Sequence, residues 1–200
     1  KIDLPSSKLD IGKLAYECHL NPSGCLDKVA FVKKQLRNVT NFKDIKPKDV
    51  VLYGFGRIGR LAARELIKQA GKGQQLRLRA IVTRSSKDDD IIKRASLLRN
   101  DSVHGAFKGS VIEDLDKKAL VINGQIVHMI SAKTPEDIDY TAYGIKNALV
   151  IDNTGVYTNR EALTRHLSAK GTAKVLLTAP GKEIPNIVYG INQGELDLEN

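Results

Sequence analysis

Gly54, Gly56 and Gly59 are spaced G-x-G-x-x-G in the run Val50-Val51-Leu52-Tyr53-Gly54-Phe55-Gly56-Arg57-Ile58-Gly59-Arg60. The chemistry that suits this spacing is the holding of a pyrophosphate. Gly54 lets the chain turn tightly off a strand, and Gly56 presents no side chain to keep a phosphate from the backbone. Gly59 lets the following helix approach the sheet. The amides around Gly56, Arg57 and Ile58 then open a helix whose first N–H groups and positive dipole end face an anion. Such a motif is weak by itself, but the flanks agree with it. Asp49-Val50-Val51-Leu52-Tyr53 is mostly apolar, as in a buried parallel strand. Ile58, Leu61, Ala62 and Leu66 repeat at helical spacing, and Gly71-Lys72-Gly73 is a stop.

Other reactive side chains point to less. Cys18 and Cys25 are the two cysteines, and with His19 they do not complete a four-ligand zinc site. A cytosolic chain keeps such a pair as thiols, so free structural or surface thiols are expected. His104 and His166 read as packing or hydrogen-bonding residues. The net charge of +9 is scattered, and with 5% aromatic residues there is no basic stripe with interleaved aromatics, so nucleic acid is not the expected partner. Solvated surface and a field attracting anionic ligands fit better. No apolar run approaches a membrane span and no signal peptide opens the chain.

The elements that must position the glycine motif follow from periodicity. Residues 1–47 suggest two short helices broken at Asn21-Pro22-Ser23-Gly24, the first over 9–16 and the second reaching Val39, with a link over 43–48. From Lys48 strands and helices alternate, which argues for a parallel α/β sheet. A second strand covers 76–82, and a helix after Ser85-Ser86 begins at Asp88-Asp89-Asp90 and turns Ile91, Ala95 and Leu98 to one face. Asn123-Gly124 between 119–122 and 125–130 is a hairpin signal. Pro135 opens a short helix, 148–151 is a buried strand, and Thr158-Asn159-Arg160-Glu161 reads as a capping box for a helix ended by Gly171. Strands over 174–178 and 187–191 complete the pattern.

Several phrases together resemble the amino-terminal cofactor domain of the glyceraldehyde-3-phosphate dehydrogenase family. They are the glycine run, Asp101-Ser102-Val103-His104-Gly105, Asn153-Thr154-Gly155-Val156-Tyr157, His166-Leu167 with Gly171, Thr178-Ala179-Pro180 and Val188-Tyr189-Gly190-Ile191-Asn192. The resemblance covers about residues 49–193. It implies a Rossmann-type α/β domain over 48–200: a mostly parallel sheet with helices on both faces and a β-hairpin insertion. The segment 1–47 is then a small helical amino-terminal extension, as in a long bacterial variant.

The resemblance also assigns roles. Asn153, Thr154 and Gly155 lie beside the ribose and phosphates, Thr178 and Ala179 near the nicotinamide, and the backbone at Ala132-Lys133 meets the adenine. A usual NAD site has an acid at the end of the second strand, and Thr83 stands at that place here. Its absence removes repulsion against a 2′-phosphate, and Arg84 offers a charge-assisted fork for one; Asp88, Asp89 and Asp90 follow and would restore an acid if they curled back. NAD or NADP is therefore the expected cofactor.

The family's chemistry uses a cysteine thiolate, a histidine base and inorganic phosphate to oxidise a sugar-phosphate aldehyde. Its nucleophile lies in a Ser-Cys-Thr-Thr-Asn phrase that residues 1–200 do not contain, so no catalytic residue is assigned and the chain by itself is expected to be inactive. A cytoplasmic enzyme, homo-oligomeric when intact, is implied. Erythrose-4-phosphate dehydrogenase and a non-catalytic dinucleotide- or RNA-binding module are the alternatives.

Overall fold

A computed structural model of the chain describes residue 9 and residues 11–36, 47–69 and 76–196. The chain divides into two compact units, residues 1–47 with 68–77 and residues 48–67 with 78–200. In the first, α1 (Ile11–Leu20) and α2 (Lys28–Gln35) flank a 3₁₀ turn at Ser23–Cys25. Asp27 caps α2 by accepting from the amides of Val29 (2.9 Å) and Ala30 (3.1 Å). Cys18 and Cys25 form a disulfide, with Cα atoms 5.4 Å apart, which corrects the expectation of free thiols. The break between the helices doubles the chain back and brings the two side chains within bridging range. The expected end of the second helix at Val39, most of the link over 43–48 and the stop at Gly71-Lys72-Gly73 lie outside the described residues.

The second unit is built on a sheet. Its strands are β1 (Lys48–Tyr53), β2 (Leu76–Thr83), β5 (Val111–Asp114), β6 (Ala119–Ile122), β7 (Gln125–Ser131), β8 (Ala148–Asp152) and β9 (Thr172–Leu177), with β3 (Asn100–Asp101) and β4 (Gly105–Ala106) as a small separate pair. The order is β5-β6-β7-β2-β1-β8-β9. β2 with β7, β1 with β8 and β8 with β9 run parallel, while β5-β6 and β6-β7 are antiparallel. β1 is buried from Asp49 to Tyr53, as a central parallel strand must be.

Alternation along β1 builds two cores. Val50 and Leu52 join Ala63 and Ile67 of α3 (Arg57–Gln69) and Ile91, Ala95 and Leu98 of α4 (Asp88–Arg99). Val51 and Tyr53 join Tyr140, Ile145 and Ala169 on the other face, near α5 (Arg160–Leu167). Each fully buried aliphatic side chain of these clusters contributes about 1.5–3 kcal/mol relative to exposure.

The hairpin forms where the sequence places it, with Ile122 opposite Gln125 and both Asn123 (φ 49°) and Gly124 (φ 81°) left-handed. Three local readings are corrected. The cap of α5 is Asn159, whose side chain accepts from the Ala162 amide at 2.8 Å, rather than Thr158. β5 has no sequence forecast. Residues 187–191 form no strand, because Asn192 Oδ1 accepts from the Val188 amide (2.7 Å) and Gln193 Oε1 from Gly190 (2.7 Å), so side chains take the bonds a ladder would need. Among the described residues no helix is long and apolar enough to cross a membrane.

Asp101 ties the small β3-β4 pair to α3. Its carboxylate accepts from the amides of Val103 and His104 (both 3.0 Å), the His104 ring (3.1 Å) and Arg60 (3.1 Å). The His104 and Val103 amides foremost, then the His104 ring and Arg60, hold this carboxyl well below the usual carboxylate range. A folded-state pKa below the unfolded one gives stability that is present above about pH 4 and lost as the pH falls through the lower folded value. Asp101→Asn is expected to melt at lower urea than the parent at pH 7, with the gap narrowing at pH 3. A gap independent of pH would exclude the ionic contribution.

Candidate cofactor site

The glycine run, Thr83 with Arg84, Lys133, Asn153-Thr154-Gly155 and Thr178-Ala179 all lie at or just beyond carboxyl ends of the parallel strands. Gly54 follows β1 and donates to the Val82 carbonyl at 2.9 Å, and Asn153 follows β8 and donates to the Tyr53 carbonyl at 2.8 Å. Thr178 follows β9 and donates through its amide to the Asp152 carbonyl at 3.0 Å. Beyond β7 the Ala132 amide donates to the Thr83 carbonyl at 3.1 Å, which sets exposed Lys133 beside the end of β2. Strand ends of an open α/β sheet are where such folds bind ligands.

The three motif glycines have separate surroundings. Gly54 adopts φ +91°, and a Cβ there would meet Thr154 Cγ2 at 2.7 Å. A Cβ on Gly59 would stand 2.4 Å from the Gly54 carbonyl oxygen, so only glycine permits α3 to approach the turn this closely. A Cβ on Gly56 would meet nothing within 4 Å. Gly56 is exposed and therefore faces an opening, not a packed wall, at the start of α3. Its carbonyl accepts from the Arg60 amide at 3.0 Å, so it occupies the cap position, and the first amides of α3, including those of exposed Arg57 and Ile58, have no acceptor within the helix. These residues fit the pyrophosphate of a dinucleotide: backbone donors, a helix dipole and room at Gly56.

At the β2 corner, Thr83 is buried and its hydroxyl donates to the Ser85 carbonyl at 2.6 Å. Ser131 Oγ donates to the Arg84 carbonyl at 3.1 Å. Asp90 does reach back, accepting a short hydrogen bond from Ser85 Oγ, and Asp88 pairs with Lys118. The Arg84 guanidinium is exposed and has no hydrogen bond or ion pair among the described residues.

Asp152, for which the sequence suggested no role, and His166, read there as a packing or hydrogen-bonding residue, stand behind the loop. Asp152 is wholly buried, with Oδ1 accepting from the Thr154 amide and hydroxyl (both 2.7 Å) and Oδ2 from His166 Nε2 (2.9 Å). His166 of α5, 1% exposed, lies edge-on to Tyr53 and Tyr157 at centroid distances of 4.6 and 5.2 Å. Burial, then a hydrogen bond with Tyr157, pushes the Tyr53 phenol well above its ordinary range, so it stays protonated. An acid closing a buried strand is the one signal that sequence offered for this pair. No cluster of His, Cys, Asp or Glu suited to a metal ion occurs among the described residues.

A doubly wound sheet with a glycine turn and an opening at its carboxyl edge defines a Rossmann-type dinucleotide-binding domain. Residues 48–160 match the family described as glyceraldehyde 3-phosphate dehydrogenase, NAD binding domain. The whole chain is 45% identical to a glyceraldehyde-3-phosphate dehydrogenase-like protein of Pseudomonas aeruginosa (strain UCBPP-PA14), of which it covers 44%. It is 34% identical over 74% of its length to glyceraldehyde-3-phosphate dehydrogenase of Streptococcus pyogenes, covering 41% of that protein. With glyceraldehyde-3-phosphate dehydrogenase 2 of Trichoderma koningii the identity is 33% over 76% of the chain, again 41% of the relative. The chain belongs to the glyceraldehyde-3-phosphate dehydrogenase family and carries its NAD-binding domain, and it spans less than half the length of these relatives.

The glycine surroundings separate packing from binding. Gly59→Ala is expected to cost about 1–3 kcal/mol of stability through overpacking against Gly54. Gly56→Ala is expected to cost at most about 1 kcal/mol, as alanine is the poorer cap, while filling the opening and weakening dinucleotide binding. Thermal melting with calorimetric titration checks both, and equal losses of stability in the two variants would contradict the geometry.

Proposed function

We propose that this chain is the cofactor-binding part of an NAD- or NADP-dependent glyceraldehyde-3-phosphate dehydrogenase. The observation that carries this reading is the open face of Gly56 at the amino end of α3. In the whole protein, a cysteine outside residues 1–200 would attack the sugar-phosphate aldehyde and inorganic phosphate would release the acyl group from the thioester, while the dinucleotide, when bound, would supply the hydride acceptor. Cys18 and Cys25 are bound to each other, which accords with neither being that nucleophile. The chain's own contribution is to bind and orient the dinucleotide, through Gly54, Gly56, Arg57, Ile58 and Gly59 at the pyrophosphate. Asn153, Thr154 and Gly155 serve the ribose and phosphates, Thr178 and Ala179 the nicotinamide end, and Lys133 the adenine. By itself the chain is inactive. A cytoplasmic homo-oligomer working in glycolysis or gluconeogenesis, with residues 1–47 as a helical extension to the domain over 48–200, completes the proposal.

The β2 corner supports acceptance of NADP. Thr83 presents no carboxylate to repel a 2′-phosphate, its hydroxyl is engaged with the Ser85 carbonyl, and the nearest acid, Asp90, is held by Ser85. Arg84 has a guanidinium without a partner to offer. Calorimetric titration with NAD and NADP is the test. The chain is expected to bind NADP at least as tightly as NAD. Arg84→Ala is expected to weaken NADP by about tenfold or more, the scale of a hydrogen bond to a charged group, and NAD by less than about twofold. Binding of NAD alone would exclude the 2′-phosphate role of Arg84, and failure to bind either dinucleotide would count against the cofactor reading for the chain by itself.

A further inference from the structure

The buried pair of Asp152 and His166 has no cofactor role in any reading above, yet both loops assigned to the phosphate and nicotinamide ends hang from it. The Asp152 carboxylate accepts both donors of Thr154, and its carbonyl accepts the Thr178 amide (3.0 Å) and hydroxyl (3.1 Å). The Thr178 hydroxyl also lies 3.2 Å from Asn153 Oδ1. Thr154 in turn presses its methyl group toward Gly54, so its placement bounds the glycine turn.

Oδ2 of Asp152 is wholly buried and takes its hydrogen bond from His166 Nε2. His166 Nδ1 is buried and has no partner, which puts the ring proton on Nε2. An apolar side chain would pack between Tyr53 and Tyr157 without leaving that nitrogen unsatisfied. Histidine at this place therefore serves the carboxylate. Without its donor, a buried charged oxygen would have to turn toward other donors and release Thr154.

We propose that Asp152 and His166 are a positioning pair that fixes Thr154 and Thr178 in the shape a dinucleotide needs, without touching the cofactor themselves. The pair's effect on affinity rests on the cofactor reading, whereas its hold on the loop does not.

The test compares His166→Phe, which keeps an aromatic ring and removes the donor, with His166→Gln, whose amide can donate from the same place. Three quantities are measured on the whole 200-residue chain: exchange of the Thr154 amide by NMR, exchange of the Ala132 amide that donates to the Thr83 carbonyl, and affinity for NADP and NAD. His166→Phe is expected to speed Thr154 exchange by about tenfold and weaken dinucleotide binding by about fivefold or more. Ala132 exchange stays unchanged, because the β2 corner hangs on other hydrogen bonds. His166→Gln is expected to stay within about twofold of the parent in all three.

Unchanged Thr154 exchange in His166→Phe overturns the proposal. So does a parallel rise of Thr154 and Ala132 exchange in both variants, the mark of a role in general stability. If His166→Phe does not fold, Asp152→Asn is read in its place, with faster Thr154 exchange expected and unchanged exchange again decisive against the pair. A parent chain that binds no dinucleotide refutes the cofactor reading and leaves the exchange result to judge the pair.

Discussion

The approach of α3 to the turn after β1 is the constraint around which the site is arranged. The Gly54 carbonyl oxygen lies so near Gly59 that any side chain there would overlap it, and Thr154 closes on Gly54 from the other side. Three segments thus meet around Gly54 more closely than a side chain on Gly54 or Gly59 would allow. That closeness exposes the first amides of α3 at the sheet edge and leaves the face of Gly56 open. Everything else at this edge, from the corner at Thr83 to the loop at Thr178, is placed by its attachment to the same strands.

Those attachments differ in kind. The glycine turn is set by sterics and the sheet ladder. The Asn153-Thr154-Gly155 loop is set by one buried carboxylate, which gathers Thr154, Thr178 and His166 through both its oxygens and its own carbonyl. The corner after β2 is set by hydroxyl groups. Thr83, Ser85 and Ser131 engage neighbouring carbonyls and Asp90, and this leaves Arg84 as the charged group without an engagement. A 2′-phosphate and a ribose hydroxyl would meet different chemistry there.

Local interactions account for what could be read in advance. The spacing of Gly54, Gly56 and Gly59, the Asn123-Gly124 turn and the apolar alternation of β1 act over a few residues, so pattern and structure agree. The misreadings arose where local pattern lacked a partner. The apolar run 187–191 reads as a strand but has no neighbour to pair with, and its amides go to Asn192 and Gln193. β5 went unseen because its pairing with β6 makes it a strand, while one of its apolar residues, Ile112, is exposed.

Sequence by itself determined the order of elements, the glycine turn, the hairpin, the missing acid at Thr83 and the family, because each depends on residue types and on spacing along the chain. Tertiary structure alone decided three further things. It joined Cys18 to Cys25, brought Asp90 back to Ser85, and set His166 behind Asp152 across fourteen positions of chain. In each case the contact depends on how a turn or a helix redirects the backbone in space, a quantity that spacing does not encode.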